Sequence, residues 1–238
     1  MANSYFQFKQ FTVNQQKAAM KVCTDACLFG AWIAEKIRNT EGVTNILDVG
    51  TGTGLLSLMI AQKSSAFIDA VEIETEAAEQ AKENFAASAF REKIKVMEGD
   101  IKNLEFKKVY QLVISNPPFY ENDLKSNNPK KNFAFHSEAL SFDALISKSV
   151  TLLYPAATFA VLLPYHRTQA FLDAATPHNL YLEEQVLIKQ TDKHPYFRSI
   201  LCLSRNKREM SKSEIIIKKD EQYSCEFVEL LKDYYLHL

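Results

Sequence analysis

The chain has 238 residues, 47% of them hydrophobic, enough for one well-buried α/β core and a single domain over 1–238. Lys and Arg total 28 against 29 Asp and Glu, so no global field draws it to nucleic acid, and any such contact must come from a local basic face. The amino terminus lacks the basic and apolar regions of a signal peptide, and there is no run of about eighteen apolar residues, which predicts a soluble, cytoplasmic protein with no membrane partner and no obligate protein partner.

In chain order, Phe6, Phe8 and Phe11 alternate as in a short edge strand or hairpin. Thr24-Asp25 stands before the periodic apolar run ACLFGAWIAEKI and predicts a helix cap. The stretch Ile46 to Gln62, ILDVGTGTGLLSLMIAQ, follows: a strand ending in Asp48, glycines at Gly50, Gly52 and Gly54, then a helix over Leu55 to Lys63. Without a Cβ those glycines let the backbone take φ > 0 and approach a bound molecule closely. A dinucleotide fingerprint needs a further glycine where Leu55 stands, and no Gly-Lys-Ser/Thr follows for a P-loop. The next strand, Phe67 to Ile73, carries Glu72 about twenty residues past the turn, where an acid accepts hydrogen bonds from ribose hydroxyls.

A helix over Glu76 to Ala89 has an alternating polar face that calls for no special role, and Ile94 to Met97 reads as a third strand, followed by Asp100 and Ile101. The apolar strand Tyr110 to Ser115 runs directly into Asn116-Pro117-Pro118-Phe119. This alternation predicts a doubly wound, mostly parallel sheet, with Asp48, Gly50, Glu72, Asp100 and Asn116 at the carboxyl ends of strands, where such sheets bind ligands. Leu124 to Phe135, with Lys125, Lys130 and Lys131, has loop composition and reads either as a solvated charged face or, from its place beside Asn116-Pro117-Pro118-Phe119, as a substrate-side loop over 121–140. Then come a helix (Phe142 to Leu153), a strand (Thr158 to Leu163) and an antiparallel pair (Leu182 to Thr191 with Ser199 to Ser204). The basic patch Arg205, Lys207, Arg208 and Lys212 follows, then a tail strand (Ile215 to Ile217) and a helix (Glu226 to Tyr235) that packs. Cys23, Cys27, Cys202 and Cys225 show no metal spacing and read as packing residues, so no metal site is expected.

The turn after the fourth of these strands resembles the N-P-P-F motif of methyltransferases that act on planar amino groups, and the resemblance implies a specific chemistry. A planar exocyclic amine is a poor nucleophile because its lone pair is delocalised into the ring. If the Asn116 side-chain oxygen and the Pro117 carbonyl each accept one of its hydrogens, the nitrogen is drawn towards sp3 character. Pro117 and Pro118 stiffen the turn, since each ring locks φ, and Phe119 offers a face on which a flipped base can stack. Catalysis of this kind is positioning plus electrostatics, without a strong general base.

Together D-x-G-x-G-x-G and N-P-P-F resemble the signature pair of S-adenosyl-L-methionine-dependent methyltransferases that act on planar amino groups. With MKVCTD, VEIE, GDI, SNPPFY, SEALS and LLKDYYL, the likeness runs over essentially the whole length and is to the bacterial tRNA1(Val) (adenine(37)-N6)-methyltransferase family, which modifies adenine on the 3′ side of the anticodon. Phe133 and Phe135 stand where that family has an arginine shortly before His136. The resemblance implies a seven-stranded sheet with S-adenosyl-L-methionine as cofactor and transfer RNA as partner. It implies cofactor contacts by Thr24, Asp48, Gly50, Gly52, Thr53, Gly54, Glu72 and Asn116, with Asp100 receiving the adenine amine and Ile101 packing on its ring. Residues 1–40 would lie beside the cofactor and the base. Asn116, Pro117 and Phe119 would be catalytic, and Tyr120, Lys125, Lys130, Lys131, Arg205, Lys207 and Arg208 would bind substrate. The same motif pair occurs in enzymes that methylate release-factor glutamine, ribosomal guanine N2 and DNA adenine, and a non-catalytic nucleotide-binding module is the reading from another class.

Overall fold

The computed structural model describes residues 3–117 and 140–238. A hairpin of β1 (Tyr5–Gln7) and β2 (Thr12–Asn14) leads to α1 (Thr24–Arg38). Then β3 (Asn45–Val49), α2 (Leu55–Lys63), β4 (Phe67–Glu72), α3 (Thr75–Ala86), β5 (Ile94–Glu98) and β6 (Tyr110–Ser115) follow. The second half holds α4 (Phe142–Leu152), β7 (Leu153–Pro164), α5 (Thr168–Ala175), β8 (Tyr181–Thr191), β9 (Tyr196–Ser204), β10 (Ser211–Lys219), β11 (Gln222–Tyr223) and α6 (Cys225–Leu231).

The main sheet has the order β11-β10-β8-β9-β7-β6-β3-β4-β5. β7, β6, β3, β4 and β5 are mutually parallel, and β9 runs antiparallel to both β7 and β8. The chain winds outward from β3 through β4 to β5, then returns to place β6 and β7 on the other side. The switch in direction therefore falls between β3 and β6. The expected seven strands are all present, and β10 and β11 extend that sheet beyond β8. Only Ile215 and Ile217 of β10 are buried, so the tail's apolar signal marks the middle of a strand that pairs along its length with β8.

Side chains alternate across the sheet with a period of two, as strands buried on both faces require. Ile46, Leu112, Ile114, Ala160, Leu162, Ile200 and Cys202 join α1, α2 and α6 in one core, while Leu47, Val113, Phe159, Val161, Leu163, Leu201 and Leu203 meet α4 and α5 in the other. Helix α4 is capped by Ser141, whose hydroxyl accepts from the Ala144 N–H at 3.2 Å. The helix α5, absent from the sequence reading, is eight residues long and joins two strands. α6 ends earlier than expected because Tyr235 turns away to bridge Phe8 of the amino-terminal segment.

Two local expectations change. Thr24 and Asp25 are not a cap: the helix starts at Thr24 after Cys23, whose side chain makes no capping bond, and Asp25 instead accepts from Arg198 Nε at 2.5 Å. The polar face of α3 is not idle either. The buried Asn84 accepts from Asn14 N–H at 2.9 Å and donates to the Asn14 and Thr53 carbonyls at 2.8 Å each, and Gln80 accepts from Gln16 N–H at 3.1 Å. This helix ties the amino-terminal segment to the glycine turn.

Gly54 shows what part of the glycine pattern is for. It sits at φ 82° before α2, and a Cβ there would lie 2.3 Å from the Phe85 ring. Gly54→Ala is expected to destabilise the fold by about 2 to 4 kcal/mol, combining left-handed strain with overpacking. Chemical denaturation measures the loss, and Phe85→Leu should restore the overpacking part only.

Candidate active site

Strand register assembles the site. Val49 pairs with Val71 on one side and Ser115 on the other, so Gly50, Glu72 and Asn116 each stand one residue beyond that row. Gly50 and Gly52 take φ of 74° and 57°, and a Cβ on either would meet nothing within 4 Å. The turn therefore offers bare backbone to open space at two positions, and a third is closed by Phe85.

The turn is not an anion cradle. Its Gly50 and Thr51 N–H groups donate to the Val71 carbonyl (2.9 and 3.0 Å), Gly54 N–H donates to Thr51 O (2.9 Å), and Gly52 N–H donates to Glu72 Oε2 (2.8 Å). Donors spent inside the protein leave carboxylates, not N–H groups, as the character of the site. Glu72 is buried, and its Oε1 also accepts from the Ile73 and Glu74 N–H groups at 2.9 and 3.1 Å. Three backbone bonds leave one of about four acceptor directions, on Oε2, for a ligand hydroxyl.

Asp48 is wholly buried beneath the turn. Its Oδ2 accepts from Thr51 Oγ1 and Ser57 Oγ, both at 2.7 Å, whereas Oδ1 has no partner. Burial pushes its carboxyl up to about 6, against the pull of the Thr51 and Ser57 hydrogen bonds, and the Glu72 charge adds to the rise. Asn116 Oδ1 is likewise buried and without a partner. Two buried, unpartnered acceptors near one turn are costly in a finished core and fit a ligand that brings donors or positive charge.

Asp100 is half-buried after Gly99, but its Oδ1 accepts from Lys102 N–H at 2.9 Å and its Oδ2 pairs with the Lys102 ammonium at 3.1 Å. An adenine amine would compete with Lys102 for it. Ile101 is buried among Leu47, Val49 and Val71, and the apolar side chain exposed at this rim is Ile73, next to Glu72. In the sequence Ile73 is only the last residue of an apolar strand, and nothing there marks it as exposed. Thr24 is exposed in the first turn of α1, and the Asp25 to Arg198 bond holds that turn against the start of β9. Thr53 is buried, its carbonyl taken by Asn84.

The basic patch is not brought to this edge. β9 is antiparallel to β7, with Pro164 opposite Arg198 and Phe159 opposite Leu203, so the chain leaves β9 at the amino ends of the parallel strands. There Arg205 donates to the Val150 carbonyl and Arg208 Nε lies 3.4 Å from Glu183 Oε1. Arg205, Lys207 and Arg208 thus lie at the far edge of the sheet from Asn116, and the structure does not bring them to the site. Phe119, Tyr120, Lys125, Lys130 and Lys131 lie outside the described residues.

A family model described as Methyltransferase small domain matches residues 31–140. The tRNA1(Val) (adenine(37)-N6)-methyltransferase of Phocaeicola vulgatus is 38% identical over 239 residues, spanning 100% of both chains. That of Cytophaga hutchinsonii is 40% identical over 245 residues, again 100% of both. The chain belongs to this family. Solved structures agree on the fold: a predicted O-methyltransferase from Agrobacterium tumefaciens has a TM-score of 0.68 at 17% identity, covering 88% of this chain and 96% of that one. A putative RNA methyltransferase from Pyrococcus horikoshii has a TM-score of 0.54 at 21% identity, covering 74% and 80%.

The cofactor of this methyltransferase is S-adenosyl-L-methionine, and the residues present fit it. A cationic sulfonium and an ammonium suit an edge carrying Asp48, Glu72 and Asp100, and ribose hydroxyls suit the remaining lone pair of Glu72. Because Glu72 also braces the glycine turn, Glu72→Ala is expected to act twice. It should weaken cofactor binding by about 1.5 to 3 kcal/mol and also lower thermal stability, since three backbone donors lose their acceptor. Calorimetry and thermal denaturation separate the two losses, and unchanged affinity would remove Glu72 from the cofactor site.

Proposed function

We propose that this chain transfers a methyl group to the N6 amine of adenine in transfer RNA, at adenine-37 of tRNA1(Val). The observation that carries this reading is the buried, unpartnered Asn116 Oδ1 at the end of β6, directly before Pro117 and one residue past the pair that β6 makes with Val49. Nothing in the core requires an acceptor there. An amine presented to the turn supplies the missing donor.

S-adenosyl-L-methionine, when bound, supplies an electrophilic methyl on a sulfonium. The chain's own contribution is positional. Asn116 Oδ1 accepts one amine hydrogen and the Pro117 carbonyl the other, which turns the nitrogen lone pair out of the ring plane and aims it. Pro117 is buried, its own ring locks φ and the proline that follows it restricts ψ, so its carbonyl direction is set before substrate arrives. Asp48, Glu72 and the open faces of Gly50 and Gly52 hold the cofactor beside it. The amine becomes cationic as the bond forms and sheds its proton afterwards, so no strong base is needed at the site.

The relatives' names support adenine-37 of tRNA1(Val) as the target, and the tRNA-modifying reaction supports a cytoplasmic setting. Among the described residues no helix is long and apolar enough to cross a membrane. Radiolabelled methyl transfer to unmodified tRNA1(Val), to single-stranded DNA and to a release factor tests the reading. Label in the transfer RNA alone is expected, and label in the release factor or the DNA instead would assign the Asn116 turn to another amine.

A further inference from the structure

The edge that carries Asn116 continues past it. Val161 pairs with Ser115, and β7 runs on to Pro164. Three further residues at about 3.3 Å each carry the strand roughly 10 Å beyond the Ser115 row, about 7 Å past that of Asn116. Pro164 pairs with Arg198, and Lys189 pairs with Tyr196, so the hairpin between β8 and β9 also turns at this edge.

The ledge formed there is aromatic and cationic. Tyr165 is 41% exposed, and its ring centroid lies 5.3 Å from that of the half-buried Tyr196, at an interplanar angle of 54°. The Lys189 ammonium sits 4.6 Å over the Tyr196 ring and 3.2 Å from Glu214. The Tyr196 hydroxyl shares Glu214, so ring, ammonium and carboxylate hold one another in place. Lys193 and His194 are exposed at the hairpin tip. An exposed Tyr165 ring beside a lysine-covered Tyr196 suits a partner with planar bases on an anionic backbone, and stacking of this kind recognises unpaired strands, not duplex.

We infer that the Tyr165–Tyr196 ledge, with Lys189 and Lys193, is the platform on which the unpaired nucleotides flanking the target adenine stack while that base enters the Asn116 turn. This rests on the reading of the chain as an RNA adenine methyltransferase and adds the surface that grips the strand. The ledge stands a short length of unstacked strand away from Asn116, so it holds neighbours of the target and not the target itself.

The test is steady-state methylation of unmodified tRNA1(Val) by the full chain at saturating S-adenosyl-L-methionine, with cofactor affinity measured by calorimetry. Tyr165→Ala should raise KM for the RNA roughly five- to hundred-fold, the worth of one stacked base. Its kcat and cofactor affinity should stay within twofold, about the scatter expected of a surface change, and Tyr165→Phe should restore KM. Lys193→Glu should raise KM and make it less steeply dependent on salt. An unchanged KM in Tyr165→Ala, while the wild type methylates tRNA normally, would overturn the ledge and leave the enzymatic reading standing. So would the same rise in KM from the triple alanine variant of Arg205, Lys207 and Arg208 with none from Tyr165→Ala. If the wild type methylates single-stranded DNA and not tRNA, the assignment of the ledge to RNA falls. If it methylates neither, the reading of the site falls and this inference with it.

Discussion

Asn116→Ala is expected to lower the single-turnover rate of methyl transfer to unmodified tRNA by roughly two to three orders of magnitude, the usual loss on removing one positioned electrostatic group. Cofactor affinity should change little, because the glycine turn, Asp48 and Glu72 are bonded among themselves and not to Asn116. The fold should tolerate the change, since the side-chain oxygen has no partner to lose. Asn116→Asp is the sharper variant: it keeps an acceptor of the same size, so partial activity should survive if accepting a hydrogen is the whole role. Stopped-flow or quench-flow measurement at saturating cofactor separates the chemical step from RNA binding. Full activity in the alanine variant would place the chemistry elsewhere and leave Asn116-Pro117 as a turn.

The second large effect is on pH. Asp48 has its carboxyl raised from 3.8 to about 6 by burial, so the ligand-free folded chain holds a proton between those values that the unfolded chain has released. That stabilising contribution is fully present below the unfolded value and is lost as pH rises through the folded one. About 3 kcal/mol should therefore disappear between about pH 4 and 6, after which stability levels off. A cation bound beside the turn favours the ionised acid, so cofactor binding should expel the proton. Affinity is then expected to rise with pH by up to about tenfold per unit below 6 and to flatten above it. Asp48→Asn should bind more weakly above pH 6 and lose the slope. Calorimetry from pH 5 to 8 checks both, and a flat wild-type profile would show that the cofactor does not sense Asp48.

Much of this site is legible in the chain because its signals are local. Gly50, Gly52 and Gly54 announce a left-handed turn wherever they fold, and an apolar strand before Asn116 or Glu72 places each at a strand end. What the chain does not display is direction and partnership. Whether Arg205 faces the site depends on β9 running antiparallel to β7, a fact of pairing between segments with the same composition in either direction. Asp25 looks like a cap locally, yet its partner, Arg198, is 173 residues away. Gly54 reads as one more ligand glycine until Phe85 is seen against it, and Asn84 reads as part of a polar helix face until Asn14 and Thr53 are found on its amide. Ile73 and Ile101 are both isoleucines after an acid, and only the packing of the core says which is open at the rim.

The Asn116 turn is expected to present the N6 amine of an adenine in the tRNA1(Val) anticodon loop for methylation. Nucleoside mass spectrometry measures this directly, on an unmodified tRNA1(Val) transcript incubated with the full chain and S-adenosyl-L-methionine, then cleaved to map the modified position. The expected result is a single N6-methyladenosine at position 37, formed by the wild type and nearly absent with Asn116→Ala. A methyl group on another base or on ribose, or equal yield from the alanine variant, would contradict it.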